Sequence, residues 1–164
     1  MTPAGGVVGR LRAAGLTVAT GESLTGGLVC AALVDVPGSS RVVRGGVVAY
    51  ASDLKAGVLG VDAELLARGG AVQAEVARQL ALGAARLLGA DGGIGTTGVA
   101  GPGPDEGLPP GTVYVAASLG STVRVRRLDL AGTRGLVRRA TTAAALALLA
   151  GLLADREQNP GGHS

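Results

Sequence analysis

The 164-residue sequence has one cysteine and one histidine, and these two shortages exclude several kinds of chemistry. With Cys30 alone, no intramolecular disulfide can form, and a reducing compartment is expected. His163 lies in the C-terminal tail, so we do not expect a Ser-His-Asp triad. One cysteine and one histidine also leave no cluster with the ligand spacing of a zinc site. The sequence therefore predicts no metal, and nothing in it indicates another cofactor.

Aromatic residues are nearly absent, because the chain has no tryptophan or phenylalanine and only two tyrosines, Tyr50 and Tyr114. The core must therefore be built from valine, leucine and alanine, and the 30 glycines allow backbones to approach closely. The net charge is +3, but the arginines are scattered, and two tyrosines offer little stacking for bases. We expect no nucleic-acid partner, whereas a small anionic ligand remains open.

No segment of the sequence is typical of a secretory signal or a membrane span. Residues 1–15 carry Arg10 and Arg12 where a signal peptide has its apolar region. The longest apolar run, residues 143–154, is too short to cross a bilayer. We therefore expect a cytoplasmic protein without a membrane partner. Residues 140–154 are apolar nearly all round, which is explained either by burial in the core or by a homo-oligomer interface.

Fourteen of the fifteen basic residues are arginine, and the single lysine is Lys55. Arginine keeps its proton in proteins, whereas a lysine that is desolvated or near another cation can become a neutral base. A coding bias that left Lys55 on a solvated helix is the other explanation of a lone lysine. The segments around Lys55 decide between the two interpretations.

Helical and strand-like segments alternate along the chain, which predicts an α/β layered fold in one domain, residues 1–154. A polar, flexible tail is expected over residues 155–164. The remaining predicted elements are helices over 4–14, 28–36, 73–89 and 133–154, a short helix carrying Lys55, strands over 16–20, 42–50 and 92–97, and an antiparallel hairpin of 112–118 with 122–130.

Three loops follow predicted strands, at the sheet edge where open α/β folds place their ligands. Residues 21–27 bring backbone N–H groups and the hydroxyls of Ser23 and Thr25 to a helix start, which favours an anion. A simple helix cap at Ser23 is the alternative. The second loop carries Lys55. The third, residues 96–103, aims successive N–H groups into a concavity suited to a phosphate or an oxyanion.

No loop has the glycine pattern of a Walker or dinucleotide-binding motif. Without a suitable histidine, a catalytic serine needs another base, and Ser-Lys pairs are a known solution. Four motifs occur in order along the chain: TGESLTGG at 20–27, GGVVAY at 45–50 leading to Lys55, TGVAGP at 97–102, and GTVYV at 111–115.

Together these motifs resemble the CinA C-terminal domain family, whose enzymatic members are nicotinamide-nucleotide amidohydrolases. The resemblance covers about residues 5–153, and no molybdopterin-binding-like domain precedes it, as in the stand-alone form of the family. It implies a three-layer α/β/α sandwich with a mostly parallel, mixed sheet. It also implies hydrolysis of the carboxamide of nicotinamide mononucleotide (NMN) to nicotinic acid mononucleotide and ammonia, without a metal or other cofactor.

The resemblance also implies roles for individual residues. Carried over by motif, Ser23 is the nucleophile and Lys55 is its general base. Tyr50 supports that pair, and Thr97 lines the site. Arg138, within LVRRA at 136–140, matches a family arginine that engages the phosphate. The substrate-binding positions implied in this way are Glu22, Thr25, Gly26, Gly27, Gly98, Ala100, Gly101 and Arg138.

Three positions depart from the family pattern. Ser52, Gln73 and Pro104 stand where asparagine, serine and glycine are frequent in the family. None belongs to the implied dyad, but each could alter the geometry of a loop. A nucleotide-binding or partner-binding module without turnover is therefore the alternative to an amidohydrolase.

Overall fold

The computed structural model describes residues 1–160, which contain six α-helices and five β-strands. The helices are α1 (Pro3–Ala14), α2 (Leu28–Val34), α3 (Ser52–Gly57), α4 (Ala63–Gly69), α5 (Ala74–Leu88) and α6 (Arg134–Gln158). The strands are β1 (Val18–Glu22), β2 (Val43–Val48), β3 (Gly92–Gly98), β4 (Thr112–Leu119) and β5 (Thr122–Asp129). His163 and the end of the predicted tail lie outside the described residues.

The strands form one mixed sheet in the order β2-β1-β3-β4-β5. β1 pairs in parallel with β2 and β3, and the β4–β5 hairpin continues the sheet with two antiparallel pairings. Within the described residues only β4 runs against the other strands, so the prediction of a mostly parallel, mixed sheet is confirmed. The carboxyl ends of β1, β2 and β3 meet at one edge.

Helices cover both faces of the sheet, which produces the three-layer arrangement. On one face α1, α2 and α6 share a cluster of buried residues with the sheet, in which Leu11 and Leu149 accompany Ile94 of β3. On the other face α5 contributes Val76 and Leu80 to a second cluster. A strand buried on both faces needs apolar or small residues throughout, and β3 is buried over nearly its whole length.

Glycine in β3 sets the separation between the sheet and α5. A Cβ at Gly93 would collide with the carbonyl group of Ala81, and a Cβ at Gly95 would lie 2.6 Å from the Ala81 amide nitrogen. The helix backbone therefore packs directly against the strand backbone. This contact is the close approach that the glycine-rich, aromatic-poor composition predicts.

The long helix α6 begins where the sequence predicts but continues to Gln158, so the first residues of the predicted flexible tail are helical. By length and composition it could cross a membrane, and it is the one helix among residues 1–160 for which this holds. In this fold its leucines from Leu146 onward are core residues, with Leu149 and Leu153 almost fully buried, whereas Leu136 near its start is exposed. The exposed positions also include Ala140 and Ala143. Burial in the core therefore accounts for the large apolar side chains of residues 140–154.

The sequence does not predict α4, which lies between the short helix α3 and the amphipathic helix α5. Asp62 begins α4 by accepting hydrogen bonds from the amides of Glu64 and Leu65. No residue of α4 is fully buried, and a helix of seven residues is too short to show a clear helical period in the sequence. The helix ends at a turn, residues 70–73, that leads into the functional site.

Candidate active site

The carboxyl ends of β1, β2 and β3 surround a cavity of about 360 Å³. Its walls come from the segment after β1, the turn after β2 together with α3, the loop after β3, and the start of α6. The three loops singled out from the sequence therefore meet at one site. The predicted residues that line it are Ser23, Tyr50, Lys55, Thr97, Gly98, Ala100 and Gly101.

Ser23 directly follows β1 and is held in place by β3. Its amide donates a hydrogen bond to the Thr96 carbonyl oxygen at 3.0 Å, and the residue is 8% exposed. The alternative that Ser23 caps the following helix is wrong, because α2 begins at Leu28 and its N-cap is Gly27. The Ser23 side chain therefore does not cap the start of α2, and Ser23 lines the cavity instead.

Lys55 is buried, with 2% of its surface exposed, so the interpretation of a solvated helix lysine is wrong. Its Nζ donates a hydrogen bond to the Tyr50 backbone oxygen at 2.9 Å. Desolvation lowers the pKa of Lys55, and the negative charge of Glu106 opposes that shift. Since a buried amine is less stable when charged, Lys55 reaches its neutral form at lower pH than a solvated lysine does.

Ser23 and Lys55 line the same cavity. In the part of the chain that the structure describes, their side chains form no direct hydrogen bond with each other. The Tyr50 carbonyl instead holds the Lys55 ammonium group. Catalytic hydrogen bonds are commonly long in a site without substrate and shorten when the reactants bind. The arrangement brings a hydroxyl and a desolvated amine into one pocket, which is the pairing a serine-lysine hydrolase requires.

Glu22 is fully buried and is not among the residues that line the cavity. Its carboxylate accepts hydrogen bonds from the amides of Val29 and Cys30 at 2.9 and 3.0 Å. It also accepts bonds from the hydroxyls of Thr20 and Thr25. Glu22 therefore ties the end of β1 to the start of α2 from behind the cavity wall.

Thr25, Gly26 and Gly27 are likewise not among the residues that line the cavity. The Thr25 hydroxyl bonds the Glu22 carboxylate at 2.7 Å and lies 2.8 Å from the Thr96 hydroxyl oxygen. Gly26 and Gly27 have φ angles of 58° and 100°, a left-handed conformation that glycine adopts without strain. These residues shape the turn that carries Ser23, and the structure does not bring them to the cavity.

Thr97 and the loop after β3 form a second wall. The Thr97 hydroxyl donates to the Ala71 carbonyl oxygen at 2.7 Å and is buried, so it joins this wall to the 70–73 turn. In residues 1–160 the backbone amides of Ala100 and Gly101 donate no hydrogen bond to the protein. Since both residues line the cavity, these two amides are candidate donors to an anionic oxygen there.

Two arginines of α6 differ in their relation to the cavity. Arg138 donates to the backbone oxygens of Leu24 and Thr25 at 2.9 and 3.1 Å and is not among the lining residues. Arg134 lines the cavity and donates to the Gly101 carbonyl and to the Tyr50 hydroxyl. Sequence reasoning missed Arg134, although it lies one helical turn before Arg138 in the first turn of α6.

Glu106 and the 70–73 turn are the other part of the site that the sequence did not indicate. The Glu106 carboxylate accepts the amides of Ala71 and Val72 at 2.9 and 3.0 Å, and all three residues line the cavity. Their positions come from an irregular loop and an unpredicted helix end.

Among residues 1–160 there is no group of three or more His, Cys, Asp or Glu side chains that could hold a metal ion.

The fold and this cavity define an α/β domain with a serine and a desolvated lysine at the carboxyl edge of its sheet. The sequence model of the CinA C-terminal domain matches residues 2–153. The chain therefore belongs to the CinA C-terminal domain family.

Comparisons with individual proteins agree with this assignment. The chain is 51% identical over 144 residues to a CinA-like protein of Anaeromyxobacter sp. (strain K), covering 87% of this chain and 35% of that protein. It is 43% identical over 150 residues to a CinA-like protein of Frankia casuarinae, covering 92% of this chain and 35% of that protein. The chain spans about a third of the length of the curated relatives it matches.

A solved structure of a competence-damaged protein (CinA) superfamily member from Klebsiella pneumoniae has the same fold. It aligns with a TM-score of 0.89 at 33% sequence identity and covers 93% of this chain and 96% of that chain.

Proposed function

We propose that this chain hydrolyses the carboxamide of NMN to nicotinic acid mononucleotide and ammonia, with Ser23 as nucleophile and Lys55 as general base. The observation that carries the proposal is the burial of the chain's only lysine in the cavity that Ser23 lines. A solvated lysine has a pKa of about 10.4 and is almost wholly protonated at neutral pH. Desolvation lowers the pKa of Lys55, which makes a neutral amine accessible to act as a base.

In the proposed reaction, neutral Lys55 takes the proton from the Ser23 hydroxyl while Oγ forms a bond to the carboxamide carbon. The tetrahedral oxyanion accepts hydrogen bonds from the backbone amides of Ala100 and Gly101. Lys55 then returns the proton to the amide nitrogen as the C–N bond breaks, releasing ammonia and leaving an acyl ester on Ser23. A water molecule, deprotonated by Lys55, hydrolyses this ester and restores the serine.

We assign the substrate phosphate to Arg134 rather than to Arg138. Arg138 is engaged by two backbone oxygens that hold the loop carrying Ser23, and it does not line the cavity. Arg134 lines the cavity, and its present acceptors, a carbonyl and a phenol, are both neutral. A phosphate dianion is a stronger acceptor for a guanidinium than either of them.

Release of ammonia from NMN by the purified protein, with EDTA present, tests the proposal. We expect steady turnover that chelation does not reduce, because the Ser-Lys mechanism uses no metal. Binding of NMN, measured by calorimetry, without ammonia above the rate of an enzyme-free control would contradict the proposal. That outcome would favour the nucleotide-binding module without turnover.

A further inference from the structure

Glu106 occupies a backbone conformation that only a few side chains adopt readily. Its φ is 50°, and it is the one non-glycine residue with positive φ among residues 1–160. The Asp105 carboxylate accepts the Glu106 amide at 2.9 Å, and Asp105 also pairs with Leu108 through two backbone hydrogen bonds. A left-handed residue persists where the surrounding structure fixes it, and such residues cluster at functional sites. This tight turn directs the Glu106 side chain across the cavity wall.

The carboxylate of Glu106 binds the backbone of the 70–73 turn. It accepts the amides of Ala71 and Val72, at 2.9 and 3.0 Å. Gly70 precedes them with a φ of 74°, and a Cβ there would lie 2.6 Å from Cδ of Glu106. A side chain at this position would push the carboxylate out of its place and would also strain the backbone, since a positive φ favours glycine. Because Thr97 bonds the Ala71 carbonyl, the Glu106 contact closes a link between the loop after β3 and the start of α5.

We propose that Glu106 is a positioning residue, which fixes the turn at 70–72 as one wall of the cavity and places its carboxylate in the same cavity as the Lys55 side chain. The other ionisable residues that line this cavity are Tyr50, Asp105 and Arg134, and Asp53 lies on the same helix as Lys55. The negative charge of Glu106 raises the pKa of Lys55 against the larger, opposite effect of desolvation.

The consequence for the reaction rests on the proposed function. Lys55 must be neutral to take the serine proton, yet it becomes an ammonium group as the oxyanion forms. A carboxylate in the same cavity stabilises this charged state, so it favours the transition state while moving the loss of the Lys55 proton to higher pH. Removing the charge should therefore move the rising limb of the pH–rate profile to lower pH and lower its plateau.

The single lysine permits a direct measurement without any substrate. Protein labelled with ¹³C-lysine gives one side-chain ε-carbon signal, whose chemical shift reports the protonation of Lys55 as pH changes. In Glu106→Gln we expect the titration midpoint to move to lower pH. The matched control is Asp105→Asn, which removes the same charge one residue away and should move the midpoint less. An unchanged or higher midpoint in Glu106→Gln, or an equal shift in the control, would overturn the assignment.

Amide hydrogen exchange tests the structural half of the proposal. In Glu106→Gln the amides of Ala71 and Val72 should exchange at least about tenfold faster, because the charge is removed and only one of the two acceptor oxygens remains. Unchanged protection of both amides would overturn this part. If Glu106→Gln does not fold, Glu106→Asp replaces it, because it keeps the negative charge but holds it one methylene farther from Lys55. In Glu106→Asp the Lys55 titration midpoint should also move to lower pH, by less than in Glu106→Gln. An unchanged midpoint in Glu106→Asp would count against the role of Glu106.

The two proposals fail separately. A Lys55 titration that responds to Glu106 as expected, in a protein that releases no ammonia from NMN, would leave the role of Glu106 standing and remove the proposed function. If the protein hydrolyses NMN but the Lys55 titration midpoint does not respond to substitution of Glu106, the proposed function stands and the role of Glu106 is removed.

Discussion

Arg134 and Arg138 lie one helical turn apart on α6 but have different partners. Arg138 satisfies two backbone oxygens next to Ser23, so its role is to hold the segment that follows β1. Arg134 lines the cavity and bonds groups on two of its other walls, Tyr50 and Gly101. Their different surroundings predict different kinetic effects when each side chain is removed.

Substitution of Arg134 by alanine should weaken the discrimination between NMN and nicotinamide riboside, which lacks the phosphate. We expect kcat/KM for NMN to fall by about 10- to 100-fold, the loss for hydrogen bonds to a charged acceptor, with little change for the riboside. Arg138→Ala is the matched control and should slow both substrates equally, since it disturbs the Ser23 segment. Steady-state kinetics on the two substrates decides the matter, and equal losses in Arg134→Ala would remove the phosphate assignment.

At the scale of elements, the contact between β3 and α5 depends on glycine at positions where any side chain would meet the helix backbone. Gly95 faces the Ala77 carbonyl and the Ala81 amide. Because β3 also carries Thr97 and the loop that follows, movement of α5 relative to β3 displaces a wall of the cavity. The packing of these two elements therefore supports both the core and the site.

Gly95→Ala should destabilise the protein by about 1–3 kcal/mol, the usual cost of forcing an extra group into a packed core. Gly9→Ala, in the exposed part of α1, has open space around its new Cβ and should stabilise the protein by about 0.5–1 kcal/mol. Urea denaturation of both variants measures the difference. A Gly95→Ala protein as stable as the parent would mean that α5 does not depend on this close contact.

Periodicity and glycine-rich loops were sufficient to predict most elements. The hairpin of β4 and β5, the amphipathic α5 and the strands before each loop follow from local patterns. α4 escaped prediction because it has only seven residues, fewer than a periodic apolar pattern needs. The end of α6 at Gln158 also escaped, since polar residues continue a helix when nothing in the chain stops it.

At the scale of the whole molecule, the parallel strands β1, β2 and β3 bring three distant loops to one edge of the sheet. This is why Ser23, Lys55 and Thr97 could be expected together from the sequence. Arg134 and Glu106 could not, because they come from a helix start and an irregular loop whose positions depend on tertiary packing. Glu22 and Thr25 share a motif with Ser23, but strand alternation and the turn direct them away from the cavity.

The central claim is that Lys55 acts as a base and not only as a charge, and the rate of ammonia release from NMN by Lys55→Arg tests it most directly. Arginine keeps the positive charge but cannot accept a proton. We expect turnover to fall at least about 100-fold, the contribution of a proton-transfer partner. Ser23→Ala should lose as much, and the double variant little more, since the two residues act as a unit. Substantial ammonia release by a folded Lys55→Arg protein would contradict the account.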